Sequence, residues 1–205
     1  MTARVARELI RTGHLVRGLR WAPLHVGTVT VGLLLVLRLS GLAVTGVMAA
    51  RVVALVLALG SGFALDDQAA STVQASPYPL ARRLWLRIAA TAALVVPLWT
   101  LALPLVRVDP VLSLRLGLTV EFLAALAVVW ATAAWCRRRG LDEPGVATAP
   151  VLLGLLVACA LYPRAPMLVP QGPQWLAAHV RWAGVLACAT ALLVWAVQAD
   201  SRARR

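Results

Sequence analysis

The sequence of 205 residues contains no lysine, because all 20 basic residues are arginine. Without lysine, the chain forms neither a phosphate-binding P-loop of the G-x-x-x-x-G-K-[ST] type nor a lysine Schiff base. Any ATP hydrolysis on which the protein depends must therefore occur on another chain. Cysteine is also scarce: Cys136, Cys159 and Cys188 stand alone, without C-x-x-C spacing. They indicate neither a disulfide framework nor a metal site, and we expect them to be small packing residues.

Acidic residues are few as well, and the formal net charge is +12. The hydrophobic share is 61% and the mean hydropathy is +0.82, whereas an average soluble domain is about 45–50% apolar. This composition excludes a soluble fold, a disordered chain and a secreted disulfide scaffold. In so apolar a chain, the positive charge indicates arginine-rich cytoplasmic loops rather than nucleic-acid binding.

Six apolar segments follow one another along the chain, and none alternates with the two-residue period of a barrel strand. Each approaches the length of about 20 residues that a membrane-spanning helix needs. We therefore predict an all-α, polytopic membrane protein with a six-helix transmembrane domain over 26–198. The predicted spans are about 26–48, 50–65, 88–106, 112–135, 146–162 and 182–198.

Residues 1–25 are too charged for a signal peptide. At about 100° per residue, Val5 and Leu9 share one helix face and Arg4 and Arg7 lie opposite. This pattern favours an amphipathic helix in the headgroup layer, parallel to the membrane. A disordered basic tail is the alternative.

The arginines predict the orientation. With the N-terminus inside, fourteen arginines lie in cytoplasmic segments, five lie outside, and Arg38 lies within a span. The excess favours cytoplasmic N- and C-termini, with residues 199–205 as a basic cytoplasmic tail.

The loop over 66–87 separates the second and third predicted spans. Asp66 or Asp67 is suited to cap a short helix of about two turns, which Pro77 and Pro79 must end. Such a helix would lie along the membrane surface and offer a lever to a partner. An ordinary capped loop is the alternative.

The stretch F-A-L-D-D…S-P-Y-P-L-A-R-R over 63–83, with the basic N-terminal helix and six spans, resembles the permease subunits of ABC-2-type (type V fold) exporters. In that family the corresponding segment is a coupling helix that docks into a cleft on the ATPase subunit. The resemblance assigns that contact to Asp66, Asp67, Gln68, Ser71, Thr72, Ser76, Pro77, Pro79, Arg82 and Arg83.

The resemblance also implies a half-size permease of the bacterial inner membrane, with 1–25 as the connecting helix and 163–180 as an external re-entrant segment. It implies a second half-permease, identical or homologous, and two ATPase subunits that bind ATP and Mg²⁺. This chain would then be no enzyme and hold no cofactor or metal. The expected cargo is an amphipathic small molecule, peptide or natural product. A haem-exporter-like permease and a non-transporting scaffold or assembly protein are the alternatives.

Two ionisable residues fall within predicted spans, and they lie at similar depths. Arg38 lies about 15 Å and Glu121 about 13 Å from the outer surface, at 1.5 Å per residue. An Arg38–Glu121 pair, either structural or on the substrate path, is therefore geometrically possible, and pairing is how intramembrane charges are usually tolerated. Snorkelling of Arg38 towards the membrane surface is the alternative.

Aromatic residues near the predicted span ends suggest an interfacial belt. His179, beside Arg181, is likewise expected at the interface. The belt would consist of Trp99, Trp130, Trp135, Trp175, Trp182 and Trp195.

Overall fold

The computed structural model describes residues 22–41, 46–66, 80–106, 112–141, 143–161, 167–168 and 172–202. Regular secondary structure in these residues is entirely α-helical, as predicted. Nearly all of the predicted N-terminal amphipathic helix lies outside the described residues. The six helices are α1 (Ala22–Leu39), α2 (Val47–Phe63), α3 (Leu80–Leu105), α4 (Leu112–Arg138), α5 (Pro144–Leu161) and α6 (Trp175–Arg202).

Four of these helices are long and apolar enough to cross a membrane: Ala81–Leu105, Ser113–Arg138, Pro144–Leu161 and Trp175–Gln198. The other two, α1 and α2, are apolar but shorter. The 17 residues of α2 extend only about 25 Å, less than the hydrocarbon core of about 30 Å. The structure thus supports a helical membrane protein with four crossing-length helices, and six full spans remain a prediction.

The helix bounds differ from the predicted spans where arginines flank the apolar runs. The third span was predicted to begin at residue 88, but α3 begins at Leu80, and the sixth, predicted at 182, begins at Trp175. Hydropathy marks only the apolar part of a helix, whereas backbone hydrogen bonding continues into its charged turns. Both helices therefore extend past the apolar segment that identified them.

Helix α4 lies at the centre of the bundle and packs against α2, α3, α5 and α6. Its small residues Ala131 and Ala134 are buried in one cluster with Ala196 of α6, since small side chains let helices approach closely in lipid. On α3, the Trp99 ring stacks on that of Phe122 at 4.7 Å. Trp99 and Trp182 are each only 2% exposed, so neither belongs to an interfacial belt.

The arginines near the start of α3 and the end of α4 lie at the same end of the bundle, which we call the arginine-rich end. Two of them cover tryptophan rings there: the Arg138 guanidinium lies 4.4 Å from Trp195 and that of Arg139 lies 4.9 Å from Trp135. This grouping agrees with the prediction that the arginines over 82–87 and 137–139 lie on the same side of the bundle. Which membrane surface carries this end remains a prediction.

Arg38 lies in the last turn of α1 and is exposed. The predicted first span ran to residue 48, which placed Arg38 deep in the membrane. In the structure α1 ends at Leu39, so Arg38 lies at the end of a helix and not in the middle of one.

Replacing Arg38 with leucine is therefore expected to lower the free energy of unfolding by no more than about 1 kcal/mol. That is the scale of an exposed cation at a helix C-terminus. Thermal unfolding in lipid nanodiscs measures the change, with R38K as the charge-conserving control. A loss of several kcal/mol in R38L alone would show that Arg38 has a buried partner.

Candidate functional site

A buried ion pair joins α2 to α4 inside the bundle. Arg51 Nε donates to Glu121 Oε2 at 2.7 Å, and Arg51 Nη2 donates to Oε1 at 2.6 Å. The two side chains are 11% and 6% exposed. Both carboxylate oxygens are thus bonded to one guanidinium in the bidentate geometry that gives the strongest pairs.

His179 of α6 completes this group, which we call the Arg51–Glu121–His179 cluster. Its Nδ1 lies 2.7 Å from the Trp175 carbonyl oxygen, and that oxygen can only accept, so Nδ1 carries a hydrogen. Its Nε2 lies 3.0 Å from Glu121 Oε1. The contact is close but not in line with the ring nitrogen, and Nε2 is buried without a hydrogen bond. The expectation that His179 lies at the interface was wrong, since its side chain is 8% exposed.

Gly117 allows α6 to approach α4 beside this cluster. A Cβ at position 117 would lie 2.7 Å from His179 Nε2 and 2.7 Å from a ring carbon of Trp175. Those distances are too short for any larger residue without displacement of both rings. The Trp175 and His179 rings themselves lie 4.0 Å apart. The missing side chain at Gly117 therefore allows the His179 imidazole to lie close to the Glu121 carboxylate.

The sequence identified Glu121 but not its partners. The predicted Arg38–Glu121 pair is replaced by Arg51–Glu121, because α2 begins at Val47 and puts Arg51 one turn inside the helix. The arginine count had placed Arg51 among the five arginines outside the membrane. The signal in the sequence that could have identified Arg51 is that it is an isolated arginine one turn into an apolar segment.

A cavity of about 190 Å³ lies beside the ion pair, among α2, α4, α5 and α6. Among the described residues that line it, Arg51 and Glu121 are the charged ones. The other described lining residues are apolar and include Ala54, Leu55, Ala125, Leu152, Leu156 and Trp182. The Trp182 indole N–H donates to the Met167 carbonyl at 3.0 Å, so its polar atom is already bonded. The cavity can therefore hold the apolar part of a molecule, with the charged Arg51–Glu121 pair at one wall.

A second buried polar contact lies at the arginine-rich end, where α2 ends. Asp66 is fully buried, and its Oδ1 accepts from the Gly145 backbone N–H at 2.6 Å. Arg87 Nη1 donates to the Asp66 carbonyl oxygen at 3.1 Å. Asp66 therefore caps the N-terminus of α5, where Pro144 has no N–H to offer. The Asp66 side chain is thus buried in the chain, and its predicted contact with an ATPase stays a prediction.

Of the other predicted coupling residues, the structure describes Arg82 and Arg83. On the first turn of α3, Arg82 is exposed and Arg83 half-buried. Their assignment to an ATPase contact stays a prediction. Those that lie outside the described residues are Asp67, Gln68, Ser71, Thr72, Ser76, Pro77 and Pro79.

In the described part of the chain, no three His, Cys, Asp or Glu side chains lie close enough together to hold a metal ion. Cys136 and Cys159 are buried free thiols, in agreement with a packing role, whereas Cys188 is exposed. The Cys159 sulfur lies 3.4 Å from that of Met167. Cys136 and Cys159 thus pack inside the helical bundle.

Comparison with known proteins finds no match: no family model, curated protein or solved structure is significantly similar to this chain. The likeness to ABC-2-type permeases therefore rests on the sequence pattern alone. The features of the structure that bear on function are the cluster, the cavity and the Asp66 junction.

Proposed function

We propose that this protein is the transmembrane permease subunit of an ATP-driven exporter that moves an amphipathic small molecule. The observation that carries the proposal is the apolar cavity among four helices with the Arg51–Glu121 pair in its wall. Ionisable residues inside membrane helices are costly and typically mark a substrate pathway. A mostly apolar pocket with a few convergent polar groups is the usual form of a small-molecule site.

The volume of the cavity favours a small cargo over a peptide or haem. An engineered apolar cavity of about 150 Å³ binds benzene, and the cavity here measures about 190 Å³. It is thus suited to a molecule with one ring or a short alkyl chain. Among the expected cargoes, the small amphipathic molecule fits this site best.

The junction at Asp66 supports coupling to a partner. Helix α2 carries Arg51 at the cavity and ends at Phe63, three residues before Asp66, which is bonded to the start of α5. Both α2 and α5 line the cavity, and the predicted coupling segment follows Asp66 directly. A force on that segment would therefore move two cavity walls together.

The energy source is proposed to lie on a separate chain, since a protein without lysine has no P-loop lysine. The complete transporter would contain a second half-permease and two ATPase subunits, in the bacterial inner membrane with both termini of this chain cytoplasmic. ATP-driven closure of the ATPase pair would switch the helices between inward-facing and outward-facing arrangements. This chain contributes the substrate path.

Replacing residues 68–79 with a neutral linker of equal length is expected to abolish binding of the ATPase. The swap leaves Asp66 and α3 intact, so the bundle should keep its thermal unfolding temperature. The measurement is co-purification of a P-loop ATPase from the native membrane, identified by mass spectrometry. A swap of residues 107–111, between α3 and α4 in the sequence, for a neutral linker of the same length is the matched control, since it changes none of the residues described as lining the cavity.

Two outcomes would contradict the proposal. Retention of the ATPase by the 68–79 variant would refute the coupling assignment. Absence of any P-loop ATPase from the unaltered preparation would refute the exporter and favour the scaffold.

A further inference from the structure

We infer that the cavity beside Arg51 and Glu121 binds a small uncharged molecule with an apolar ring or short alkyl chain, and that it discriminates against ions of the same size. This names the substrate class of the cavity, and its role in export rests on the proposed function. Binding itself depends only on the cavity and its lining, so the two can be tested separately. The part of an amphipathic cargo that enters the cavity would then be uncharged.

The described lining of the cavity is apolar except at the ion pair. Leu152 and Leu156 of α5 lie one helical turn apart, and Trp182 of α6 lines the cavity with them. Since the Trp182 N–H donates to the Met167 carbonyl at 3.0 Å, the indole has no hydrogen left to donate to a ligand. Burial of apolar ligand surface against these side chains is therefore the driving force for binding.

The ion pair in the cavity wall is bonded within the chain. Arg51 Nε and Nη2 donate to the two carboxylate oxygens of Glu121, and Arg51 Nη1 donates to the Met48 sulfur at 3.9 Å. Each guanidinium nitrogen thus has a partner, and the two opposite charges of the pair sum to zero. The wall therefore presents a neutral pair whose charged groups are already bonded to each other.

A neutral wall makes the cavity unfavourable for an ion of either sign. An ionised head group loses its hydration when it enters an apolar cavity, and that loss is large unless the protein supplies an opposite charge. The described charged residues of the lining, Arg51 and Glu121, already neutralise each other. Drawing either one towards a ligand would weaken a buried pair, whereas an uncharged molecule of the same shape requires neither change.

The mouth of the cavity favours the same class of molecule. Met48 and Val52 of α2 line the cavity and are both more than half exposed, whereas Leu152 and Trp182 are buried. The cavity therefore opens on the side of α2, between apolar side chains. In a membrane such an opening gives access from the hydrocarbon, which uncharged apolar molecules enter readily and ions do not.

The test uses three probes of nearly equal size that differ in charge: 4-fluorotoluene, 4-fluorobenzoate and 4-fluorobenzylammonium. Each is titrated against the full chain in phosphatidylcholine nanodiscs, whose lipid has no net charge, and fluorine NMR line broadening gives the dissociation constant. Empty nanodiscs give the concentration of each probe in the bilayer, to which its dissociation constant is referred. We expect 4-fluorotoluene to bind at least about tenfold more tightly than either ion, because only the ions lose a charge's hydration without compensation.

Ala125→Leu tests whether the probe binds in the cavity. Ala125 of α4 lines the cavity, so a leucine there fills it and leaves both charges in place. We expect the dissociation constant of 4-fluorotoluene to rise at least about tenfold, because the ligand loses the apolar surface against which it is buried. Ala187→Leu on α6 is the matched control, since Ala187 is exposed and is not among the described lining residues. Thermal unfolding confirms that each variant is folded before the titration.

Val52→Trp tests the same point without a change in the packed interior. Val52 is exposed at the mouth of the cavity, so the larger indole can cover the opening while the bundle keeps its packing. We expect binding of 4-fluorotoluene to weaken at least about threefold, because the indole takes up part of the apolar surface that the ligand would cover. Val29→Trp on α1 is the control, since Val29 is exposed and is not among the described lining residues.

Each contrary outcome overturns a stated part of the inference. Binding of either ion within about tenfold of 4-fluorotoluene refutes the discrimination against charge. Unchanged binding in A125L, or in V52W where A125L does not fold, places the probe elsewhere, and no saturable binding by the unaltered chain refutes the cavity as a site. Should the probes fail while the 68–79 swap still removes the ATPase, the exporter stands and only the substrate class falls. If 4-fluorotoluene binds as expected while the 68–79 variant retains the ATPase, the binding site stands and the proposed coupling falls.

Discussion

Replacing Glu121 with leucine is expected to lower the free energy of unfolding by about 3–5 kcal/mol, the usual cost of removing one partner from a buried ion pair. The variant leaves the Arg51 guanidinium, only 11% exposed, without the carboxylate that now bonds two of its nitrogens. It also removes the anion beside His179. Unfolding by SDS in mixed micelles, followed by circular dichroism, measures the loss.

The double variant R51L/E121L is the matched control. It removes both charges and keeps the interior apolar, and such replacements are often neutral or stabilising. We therefore expect it to recover most of the stability lost in E121L. If the double variant were as unstable as the single one, the loss would come from packing around α4 and not from an unpaired charge.

Replacing Asp66 with alanine is expected to lower the free energy of unfolding by about 1–3 kcal/mol, the cost of leaving a buried donor without its acceptor. The change would remove the acceptor of the Gly145 N–H at the start of α5. It would also remove a negative charge from a helix N-terminus, where the helix dipole favours one. Hydrogen exchange measured by mass spectrometry should show faster exchange in the first turn of α5.

Asp66→Asn separates these two contributions, because its amide oxygen still accepts from Gly145 but carries no charge. We expect D66N to lose less than half as much stability as D66A. Gly145→Ala tests the junction from the other side, since its Cβ would lie 2.6 Å from the Phe63 Cα and 2.9 Å from Asp66 Oδ1. Wild-type exchange rates in D66A would show that α5 does not depend on this cap.

Helix α2 connects the cavity to the Asp66 junction, with Arg51 near its start and Asp66 just beyond its end. Under the proposed function, a change at the arginine-rich end would reach the cavity through α2 and through α5, whose first turn is bonded to Asp66. D66A should therefore weaken the link between an ATPase and the cavity even where the variant still folds.

Prediction from the sequence succeeded where the signal is local. Hydropathy marks apolar segments and arginine marks their ends, so the helical class and the common end of the arginines in α3 and α4 were predictable. It failed at Arg51, which was counted outside the membrane, and at His179, which was taken for an interfacial residue. Their burial depends on where α2 and α6 begin and on which face each turns to α4.

Asp66 shows the same limit. Its residue type correctly suggested a helix cap, but the nearest following residues were taken as the helix it serves. The structure places its acceptor oxygen on a helix 79 positions away. A carboxylate has no preference for a local partner when a distant helix N-terminus is packed against it.

Composition and local pattern alone determine that this chain is helical, suited to lipid, positively charged at its ends and without a P-loop lysine. They also indicate that Glu121 needs a partner, because lipid offers an unpaired carboxylate no solvation. Only the tertiary structure decides that the partner is Arg51, 70 positions away, with His179 beside it. The choice follows from the rotation and spacing of packed helices, which small residues such as Gly117 set by contact and which no local stretch of sequence contains.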